Sequence, residues 1–256
     1  MSASAPSLKD TVTIIASKRI DTLRQRAAIL RQIRGALDER GFFEVEPPLM
    51  VASPGMELHL DAFMVSGAAR RRYLHTSPEY ALKTLLGQGA QRIYAIVPCF
   101  RDEPPSRTHN PEFTMLEWYA AGTDLFGLMA QTEAVVRAAA DATRTRPPRV
   151  GDDTLDLDGP FERLTVREAF VRYAGVDPWT HTTADALREA ARGHGVAVPT
   201  ESPAWDDVFF QIFLNAVEPR LGRTRPTFLW GWPASQAALS RLDPSDPTTA
   251  LRFELF

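Results

Sequence analysis

The sequence predicts an α+β fold, because strand-like and helix-like segments are mixed along one chain. The two clearest strand-like runs are RIYAIVPCFR and EFTMLEWY, which are rich in β-branched and aromatic residues. The clearest helix-like run extends from about residue 17 to residue 40, where apolar residues recur at helical spacing among arginines. With 256 residues, of which 44% are hydrophobic, the chain can bury the core of one large domain or two small ones.

Composition and charge restrict the partners and the compartment. The formal net charge is -3, so the chain lacks the global basic field that recruits nucleic acid, and tRNA is not expected as a partner. The single cysteine, Cys99, excludes a disulfide framework and fits a reducing cytoplasm. No apolar stretch approaches membrane-spanning length, and the start MSASAPSLKD lacks the layout of a secretory signal. We therefore expect a cytoplasmic protein with no membrane partner.

The first part of the chain predicts a flexible start, a helix and a short strand. Residues 1–16 are small and polar, and we expect a flexible N-terminus there. From about residue 17 to residue 40 the predicted helix carries one apolar stripe and is ended by Gly41. The stripe consists of Ile20, Leu23, Ala27, Leu30, Ile33 and Leu37. GFFEVEPPLM then predicts a short strand that two prolines terminate.

A second pair of strands leads into a second helix. LHLDAFMV and RRYLHT are predicted strands joined by a turn with three arginines, residues 70–72, which suit a solvated tip or a docking site. TSPEYALKTLL begins a helix, with Ser77 as N-cap and Pro78 at the first helical position. Glu79 then lies in the first turn, where the helix dipole favours a carboxylate.

The most informative stretch is the pair of strands around the polar loop 102–111. The loop is too long for a tight turn and too polar to be buried, so it is either a binding loop or a mobile one. Alternation along the second strand puts Phe113, Met115, Glu117 and Tyr119 on one face, and Glu112, Thr114, Leu116 and Trp118 on the other. The first face could stack a planar base at Phe113 and hold an ammonium group at Glu117. Arg101 could reach a phosphate. An ordinary hairpin with a charged surface explains the same residue types.

The remainder of the chain predicts helices and further strands. Thr123 can cap a helix that runs from Asp124 to about residue 143. We expect a mainly helical insertion at about 144–220, with a strand pair in GDDTLDLDGPFERLTV and helices in TVREAFVRYAG and ADALREAARGHG. The clearest later helix is SPAWDDVFFQIFLNAVEPRLG, with Ser202 as cap, Pro203 at its start and an aromatic stripe typical of a core. PTFLWGWPASQAALS predicts a strand and a turn, and RFELF predicts a strand.

The loop and its flanks resemble a known motif. FRDE, a loop and HNPEFTMLEWY are similar to motif 2 of the class II aminoacyl-tRNA synthetases, in the form typical of lysyl enzymes. The early helix, strand and prolines resemble motif 1, which forms the dimer interface in that family. The resemblance implies a class II synthetase-like catalytic domain over residues 17–256, an antiparallel sheet flanked by helices, and a homodimer.

Within these enzymes the chain most resembles one branch. HNPEFTMLEWY, TSPEY and PASQA together resemble the elongation factor P–(R)-β-lysine ligase family, and no room precedes the motif 1 helix for the oligonucleotide-binding barrel of standard lysyl enzymes. The resemblance implies an ATP-dependent ligase that activates a lysine-type amino acid, (R)-β-lysine, and transfers it to a lysine of elongation factor P. Two alternatives are a stand-alone lysyl-tRNA synthetase paralogue that charges tRNA or another acceptor, and a catalytically inactive binding protein.

The resemblance also assigns roles to residues. It makes Arg101 the catalytic residue, at the α-phosphate, and implies that ATP is bound by Arg101, Asp102, Glu103, His109, Asn110 and Phe113. Phe113 would stack on adenine and Glu103 would accept from its exocyclic amine. The amino acid would be bound by Ser77, Pro78, Glu79, Glu117 and Tyr119. Mg²⁺ is expected with ATP, but no residue of the 256 is assigned as a metal ligand.

The last expectation concerns the C-terminal end of the sequence. In the family, a strand like RFELF leads to a second acidic strand and then to motif 3 with its arginine, and none of these lies within the 256 residues. Groups that act as a unit do not contribute additively to catalysis. We therefore expect residues 1–256 alone to show no ATP–pyrophosphate exchange.

Overall fold

The computed structural model describes residues 8–55, 60–67, 70–106, 108–143, 148–151, 153–198 and 203–256. The chain divides into two compact units, Met1–Asp124 and Leu125–Phe256. Each unit contains its own sheet and its own buried cluster, so the mixed α and β content predicted from the sequence is confirmed.

The first unit is built on a three-stranded sheet with the order β1-β4-β5. Its elements are α1 (Leu8–Asp38), β1 (Phe43–Glu44), β2 (Met50–Val51), β3 (Tyr73–Leu74), α2 (Glu79–Gly87), β4 (Arg92–Phe100) and β5 (Glu112–Ala120). Strand β1 is parallel to β4, whereas β4 and β5 are antiparallel. β2 and β3 form a separate antiparallel pair.

Strands β4 and β5 confirm the hairpin that the sequence predicts. Their register is unbroken from the Arg92–Ala120 pair to the Phe100–Glu112 pair. Leu82 of α2 packs against one face of this hairpin. It forms a buried cluster there with four residues of β4, namely Ile93, Ala95, Val97 and Cys99. Partly buried Phe113, Met115 and Tyr119 join the same cluster, so the predicted division of β5 into two faces is confirmed.

Helix α1 starts earlier than predicted. The backbone is helical from Leu8, nine residues before the predicted start, and neither glycine nor proline occurs between Leu8 and Gly35. The helix ends at Asp38, and Gly41 follows with a φ of 77°, as the sequence predicts for a terminating glycine. Residues 1–7 of the predicted flexible N-terminus lie outside the described residues.

The predicted pairing of the second two strands is partly described. Val65 N–H donates to Arg72 C=O at 2.9 Å, and Leu74 N–H donates to Phe63 C=O at 3.0 Å, so these stretches run antiparallel. Residues 56–59 and 68–69, which belong to the predicted strand and turn, lie outside the described residues. Arg70 and Arg71 are exposed, as expected of a solvated tip.

The second unit is built on a four-stranded sheet with the order β10-β11-β9-β8. Its elements are α3 (Leu125–Asp141), β6 (Arg149–Val150), β7 (Asp153–Thr154), β8 (Glu162–Thr165), α4 (Val166–Ala174), α5 (Ala184–Gly193), α6 (Trp205–Ile212), β9 (Thr227–Pro233), β10 (Leu242–Asp243) and β11 (Asp246–Leu255). Strands β8 and β9 are parallel, and the other pairs are antiparallel. A capping box between Thr165 and Glu168 starts α4.

The long helix predicted from Pro203 onward is interrupted. Ala204 is extended, with φ -82° and ψ 129°, so α6 starts at Trp205 and Pro203 precedes it. Ser202, the predicted cap, lies outside the described residues. After Ile212 the chain continues as a π-helix over Phe213–Val217 and a 3-10 helix over Glu218–Arg220. Pro219 explains the ending, because proline has no N–H and its ring clashes with the carbonyl four residues earlier.

The core of the second unit is aromatic, as the predicted stripe requires. The Phe170 and Phe209 rings stack with centroids 4.5 Å apart, and the Phe213 and Trp232 rings meet edge to face at 5.4 Å. Val208, Ile212 and Val217 are fully buried in the same cluster. The stripe therefore holds the unit together.

Candidate active site

Two polar side chains of β5 lie on the face of the hairpin against which α2 packs. Glu117 lies opposite Ala95 and Tyr119 lies opposite Ile93 in the β4–β5 register. Because side chains alternate along a strand, both point to the face that carries the buried cluster of the first unit. A carboxylate and a phenol are thus held side by side on a half-buried surface.

Ser77 joins this surface from the segment that precedes α2. Its Oγ accepts from the N–H of Glu79 at 3.0 Å, and Pro78 already has helical dihedrals, with φ -77° and ψ 0°. The N-cap is Pro78, one residue later than predicted, because α2 begins at Glu79, and Ser77 instead accepts from the first helical N–H. The same hydroxyl donates its proton to Oε1 of Glu117. Pro78 contributes a fixed φ at the start of the helix.

The Glu117 carboxylate accepts hydrogen bonds on both oxygens. Ser77 binds Oε1, and the Tyr119 hydroxyl donates to Oε2 at 3.1 Å. Burial raises the pKa of Glu117 above its ordinary value, and the bonds from Ser77 and Tyr119 act in the opposite direction. Burial, followed by the neighbouring Glu117 charge, also raises the pKa of Tyr119. A positively charged ligand would stabilise the ionised carboxylate.

Glu79 is placed near this pair and already binds an amine. Its carboxylate forms an ion pair with Lys83, one turn along α2. The Glu79 charge also contributes to raising the pKa of Glu117, after the larger effect of burial. The helix-dipole explanation and the ligand-contact explanation of Glu79 are both compatible with this position.

Arg101 and Phe113 form a second cluster at the base of the loop. The Arg101 guanidinium lies over the Phe113 ring, 5.1 Å from its centroid. Its Nε is buried and has no hydrogen-bond partner among the described residues. The backbone N–H of Arg101 donates to Pro111 C=O at 2.9 Å and closes the neck of the loop. An unpaired buried donor beside an aromatic ring can bind an anionic group carried by a planar ring system.

The other predicted ATP residues lie along the loop. Asp102, His109 and Asn110 are exposed and Glu103 is partly exposed. His109 N–H donates to Ser106 Oγ at 3.0 Å, and Ser106 N–H donates to His109 C=O at 2.9 Å, so a local turn orders this part of the loop. The structure brings Arg101 and Phe113 together and brings Ser77, Glu117 and Tyr119 together. Of the loop residues, Glu103 is tied to the first group by its backbone N–H, which donates to Arg101 C=O at 2.9 Å.

Sequence reasoning missed two adjacent buried polar residues near the site, His75 and Thr76. His75 is 2% exposed, and its ring contacts the C-terminal half of β4. The available signal was a histidine at the end of the predicted strand RRYLHT, two residues before Ser77. A histidine in that position is equally typical of an exposed strand end, so the sequence alone did not distinguish the two.

Comparison with known proteins assigns the family. The family of class II tRNA synthetases (D, K and N) matches residues 8–256. The chain belongs to this family. Enzymes of this class use ATP and Mg²⁺. An arginine beside an aromatic ring is suited to bind a nucleotide.

Several curated relatives of this class II chain share one name, elongation factor P–(R)-β-lysine ligase. The relative from Vibrio cholerae is 36% identical over 244 residues, which cover 93% of this chain and 70% of the relative. The relative from Vibrio vulnificus is 37% identical over 248 residues, with 93% and 70% covered. The relative from Yersinia enterocolitica is 36% identical over 256 residues, with 97% and 74% covered.

Among the described residues, no group of three or more His, Cys, Asp or Glu side chains is arranged to hold a metal ion. No helix within the described ranges combines the length and apolar character needed to cross a bilayer.

Proposed function

We propose that the chain is an ATP-dependent ligase that activates (R)-β-lysine as an adenylate and transfers it to a lysine of elongation factor P. The observation that carries the proposal is the Ser77–Glu117–Tyr119 network, which presents a half-buried carboxylate. Glu117 lies on β5, the strand that also carries Phe113 of the Arg101–Phe113 cluster. The names of the curated relatives, at 33–37% identity, support the same substrates. Residues 17–256 would form the catalytic domain, with residues 144–220 as its insertion.

Amino acid binding follows from the charge of the network. Glu117 binds one ammonium group of the ligand, because a half-buried carboxylate with a raised pKa gains most from a nearby positive charge. Tyr119 and Ser77 orient that carboxylate, and Glu79 binds a second amine in competition with Lys83. Pro78 fixes the chain direction at Ser77. A ligand with two amines satisfies both carboxylates at once.

ATP binding and activation use the second cluster. Phe113 stacks on adenine, Glu103 accepts from the exocyclic amine, and Arg101 binds the α-phosphate with its free Nε–H. Asp102, His109 and Asn110 order the loop over the phosphates. The substrate carboxylate oxygen attacks the α-phosphorus, a new P–O bond forms, and the bond to pyrophosphate breaks. Charge that develops on the phosphoryl oxygens is stabilised by the fixed guanidinium.

Transfer requires no nucleophile from this chain. The deprotonated amine of the acceptor lysine attacks the adenylate carbonyl, a C–N bond forms, and AMP leaves with the electrons of the C–O bond. Burial raises the pKa of the Cys99 thiol to about 11, so this cysteine stays protonated and is not a competing nucleophile. The chain acts by positioning and electrostatics.

The direct test is intact-mass analysis after incubation with ATP, each lysine isomer, elongation factor P and tRNA. We expect elongation factor P to gain the mass of one lysine residue, most rapidly with (R)-β-lysine. The tRNA in the same incubation should remain uncharged. Omission of ATP is the control. Charged tRNA together with unmodified elongation factor P would establish the paralogue alternative instead.

We also propose a homodimer that uses α1. Ile20 and Leu23 are 49% and 55% exposed on this helix, and their apolar surface suits a second copy. In light scattering, the native protein should have a dimeric mass and Leu23→Glu a monomeric one, while Arg24→Gln on the neighbouring exposed position should remain dimeric. A monomeric native protein at micromolar concentration would refute the interface.

A further inference from the structure

His75 is a buried histidine that the proposed chemistry does not use. Its Nε2 lies 2.7 Å from the carbonyl oxygen of Pro98 and 3.7 Å from Sγ of Cys99. A carbonyl oxygen can only accept, so this contact requires the proton on Nε2. The ring therefore donates a hydrogen bond into the C-terminal half of β4.

The backbone of His75 makes a second bond to the same strand. Phe100 N–H donates to His75 C=O at 3.1 Å, while His75 N–H donates to Leu49 C=O at 2.9 Å. On this side of β4, β1 pairs only with Ile93 and Tyr94. His75 thus occupies the edge of β4 beyond the point where β1 ends, and it binds that edge through both its ring and its backbone.

Pro98 explains why a side chain is needed at this position. Proline has no N–H, so it cannot complete a ladder with a neighbouring strand and is confined to edge positions. Its carbonyl oxygen can still accept, and the buried His75 ring needs an acceptor for its Nε2–H, because an unpaired buried donor is unfavourable. The His75 ring therefore donates to Pro98 C=O at this edge position.

The same segment carries Ser77 to the site. His75 is anchored beside Cys99, and Ser77, two residues later, donates to Glu117. Cys99 and Glu117 lie on the same face of the hairpin. Cys99 pairs with Phe113, and Phe113 and Glu117 are four residues apart on β5, so their side chains point the same way. The position of Ser77 over Glu117 is therefore set by where His75 is fastened to β4.

We propose that His75 is a positioning residue, which fastens the segment between β3 and α2 to β4 and so holds Ser77 against Glu117. The proposal rests on the proposed function only in taking the ligand of Glu117 to be the amine of the amino acid. His75 itself contacts neither the amino acid nor ATP. Its loss should affect one substrate and spare the other.

The first test compares substitutions that keep or remove the donor. His75→Gln retains an N–H at a similar reach, whereas His75→Met has the same chain length without a donor. By calorimetry we expect His75→Met to weaken (R)-β-lysine binding about 10-fold, as for loss of one partner of a buried hydrogen bond, and to change ATP affinity less than about 2-fold. His75→Gln should stay within about 3-fold for both. Equal losses in the two variants, or an equal loss for ATP, would overturn the proposal.

A double-mutant cycle tests whether His75 acts through Ser77. Ser77→Ala removes the hydroxyl that His75 is proposed to place. In that background, His75→Met should cause no further loss of amino acid affinity, because the coupled pair is already broken. Additive losses would show that His75 acts by another route. If His75→Met does not fold, His75→Asn, whose shorter amide cannot reach Pro98, takes its place in both tests.

The single cysteine gives a measurement that needs no substrate. Cys99 is fully buried and lies against the His75 ring, so its reaction with a colorimetric disulfide reagent reports opening of this segment. We expect the rate to rise about 10-fold in His75→Met and to be restored in His75→Gln, in line with the loss of one buried hydrogen bond. An unchanged rate in His75→Met would refute the proposal that His75 fastens this segment to β4. If the rate rises in His75→Met but the native protein binds no lysine isomer, the proposed function alone is refuted.

Discussion

The two units bury different kinds of side chain against their sheets. In the first unit, the hairpin face holds a carboxylate and a phenol, and burial raises the pKa of both Glu117 and Tyr119. In the second unit, the interior is filled by rings, and the Phe209 ring contacts both Phe170 and Trp232. Burial of charge opposes folding, whereas burial of aromatic surface drives it. In the proposed function the first unit therefore carries the chemistry, whereas the aromatic cluster stabilises the second unit.

The largest expected effect is on the stability of the second unit. Phe209→Ala should reduce the free energy of unfolding by about 3–5 kcal/mol, because it removes a fully buried ring and leaves a cavity. Urea unfolding followed by tryptophan fluorescence measures the change. Phe210→Ala is the matched control, since Phe210 is the next residue along and is 39% exposed. Equal losses in the free energy of unfolding from the two substitutions would contradict the central role of Phe209 in this core.

The next largest effect is on catalysis in the first unit. Arg101→Ala should reduce the rate of adenylation about 10²–10³-fold, as for loss of one fixed donor to the developing charge. Stability should change little. Arg172→Ala on α4, which removes an exposed arginine of the second unit, should leave the rate unchanged. Activity of Arg101→Ala within a few-fold of the native protein would exclude Arg101 from the site.

Glu117→Gln separates function from stability within one residue. The substitution keeps the shape but removes the charge, so (R)-β-lysine affinity should fall about 10-fold or more, as for a lost hydrogen bond between charged groups. ATP affinity should be retained. The free energy of unfolding should stay within about 1 kcal/mol, because an amide in place of a partly buried carboxylate removes a desolvation penalty. Calorimetry and urea unfolding on the same preparation check both parts, and unchanged amino acid affinity would contradict the assignment of Glu117.

The pH dependence of stability is the smallest expected effect. Burial raises the pKa of Glu117 in the folded protein, so the unfolded chain loses this proton at lower pH than the native one. The contribution of Glu117 to stability is therefore fully present below the ordinary glutamate pKa of about 4.3 and is lost as pH rises through the raised value. Relative to Glu117→Gln, the native protein should become less stable over that rise. A relative gain in stability over the same window would contradict the sign.

Much of the first unit could be predicted from local patterns. Alternation along EFTMLEWY predicted the two faces of β5, and the serine-proline pair predicted the start of α2 to within one residue, because both depend on residues close in the sequence. The bond between Ser77 and Glu117 joins residues 40 positions apart, and the contact of His75 with Pro98 joins residues 23 apart. No periodicity encodes such pairs, so they emerge only from the folded chain.

The second unit shows where local patterns mislead. The aromatic stripe from Trp205 onward has helical spacing throughout, and it was predicted as one helix. A π-helix keeps the same residues buried while it changes the hydrogen-bond pattern, so spacing cannot distinguish the two. Pro219 was the available signal for the ending. Its effect on the preceding turns depends on the backbone, which composition does not reveal.

The ion pair between Glu79 and Lys83 has a consequence for selectivity. Lys83 is tethered one turn from Glu79 on α2, so it competes with any incoming amine at an effective concentration in about the millimolar range. A ligand held at Glu79 alone gains little over this internal competitor. A ligand already anchored at Glu117 presents its second amine at a comparable effective concentration and can exchange with Lys83. Glu79 would then discriminate between diamino and monoamino ligands more than it would add to the affinity of either.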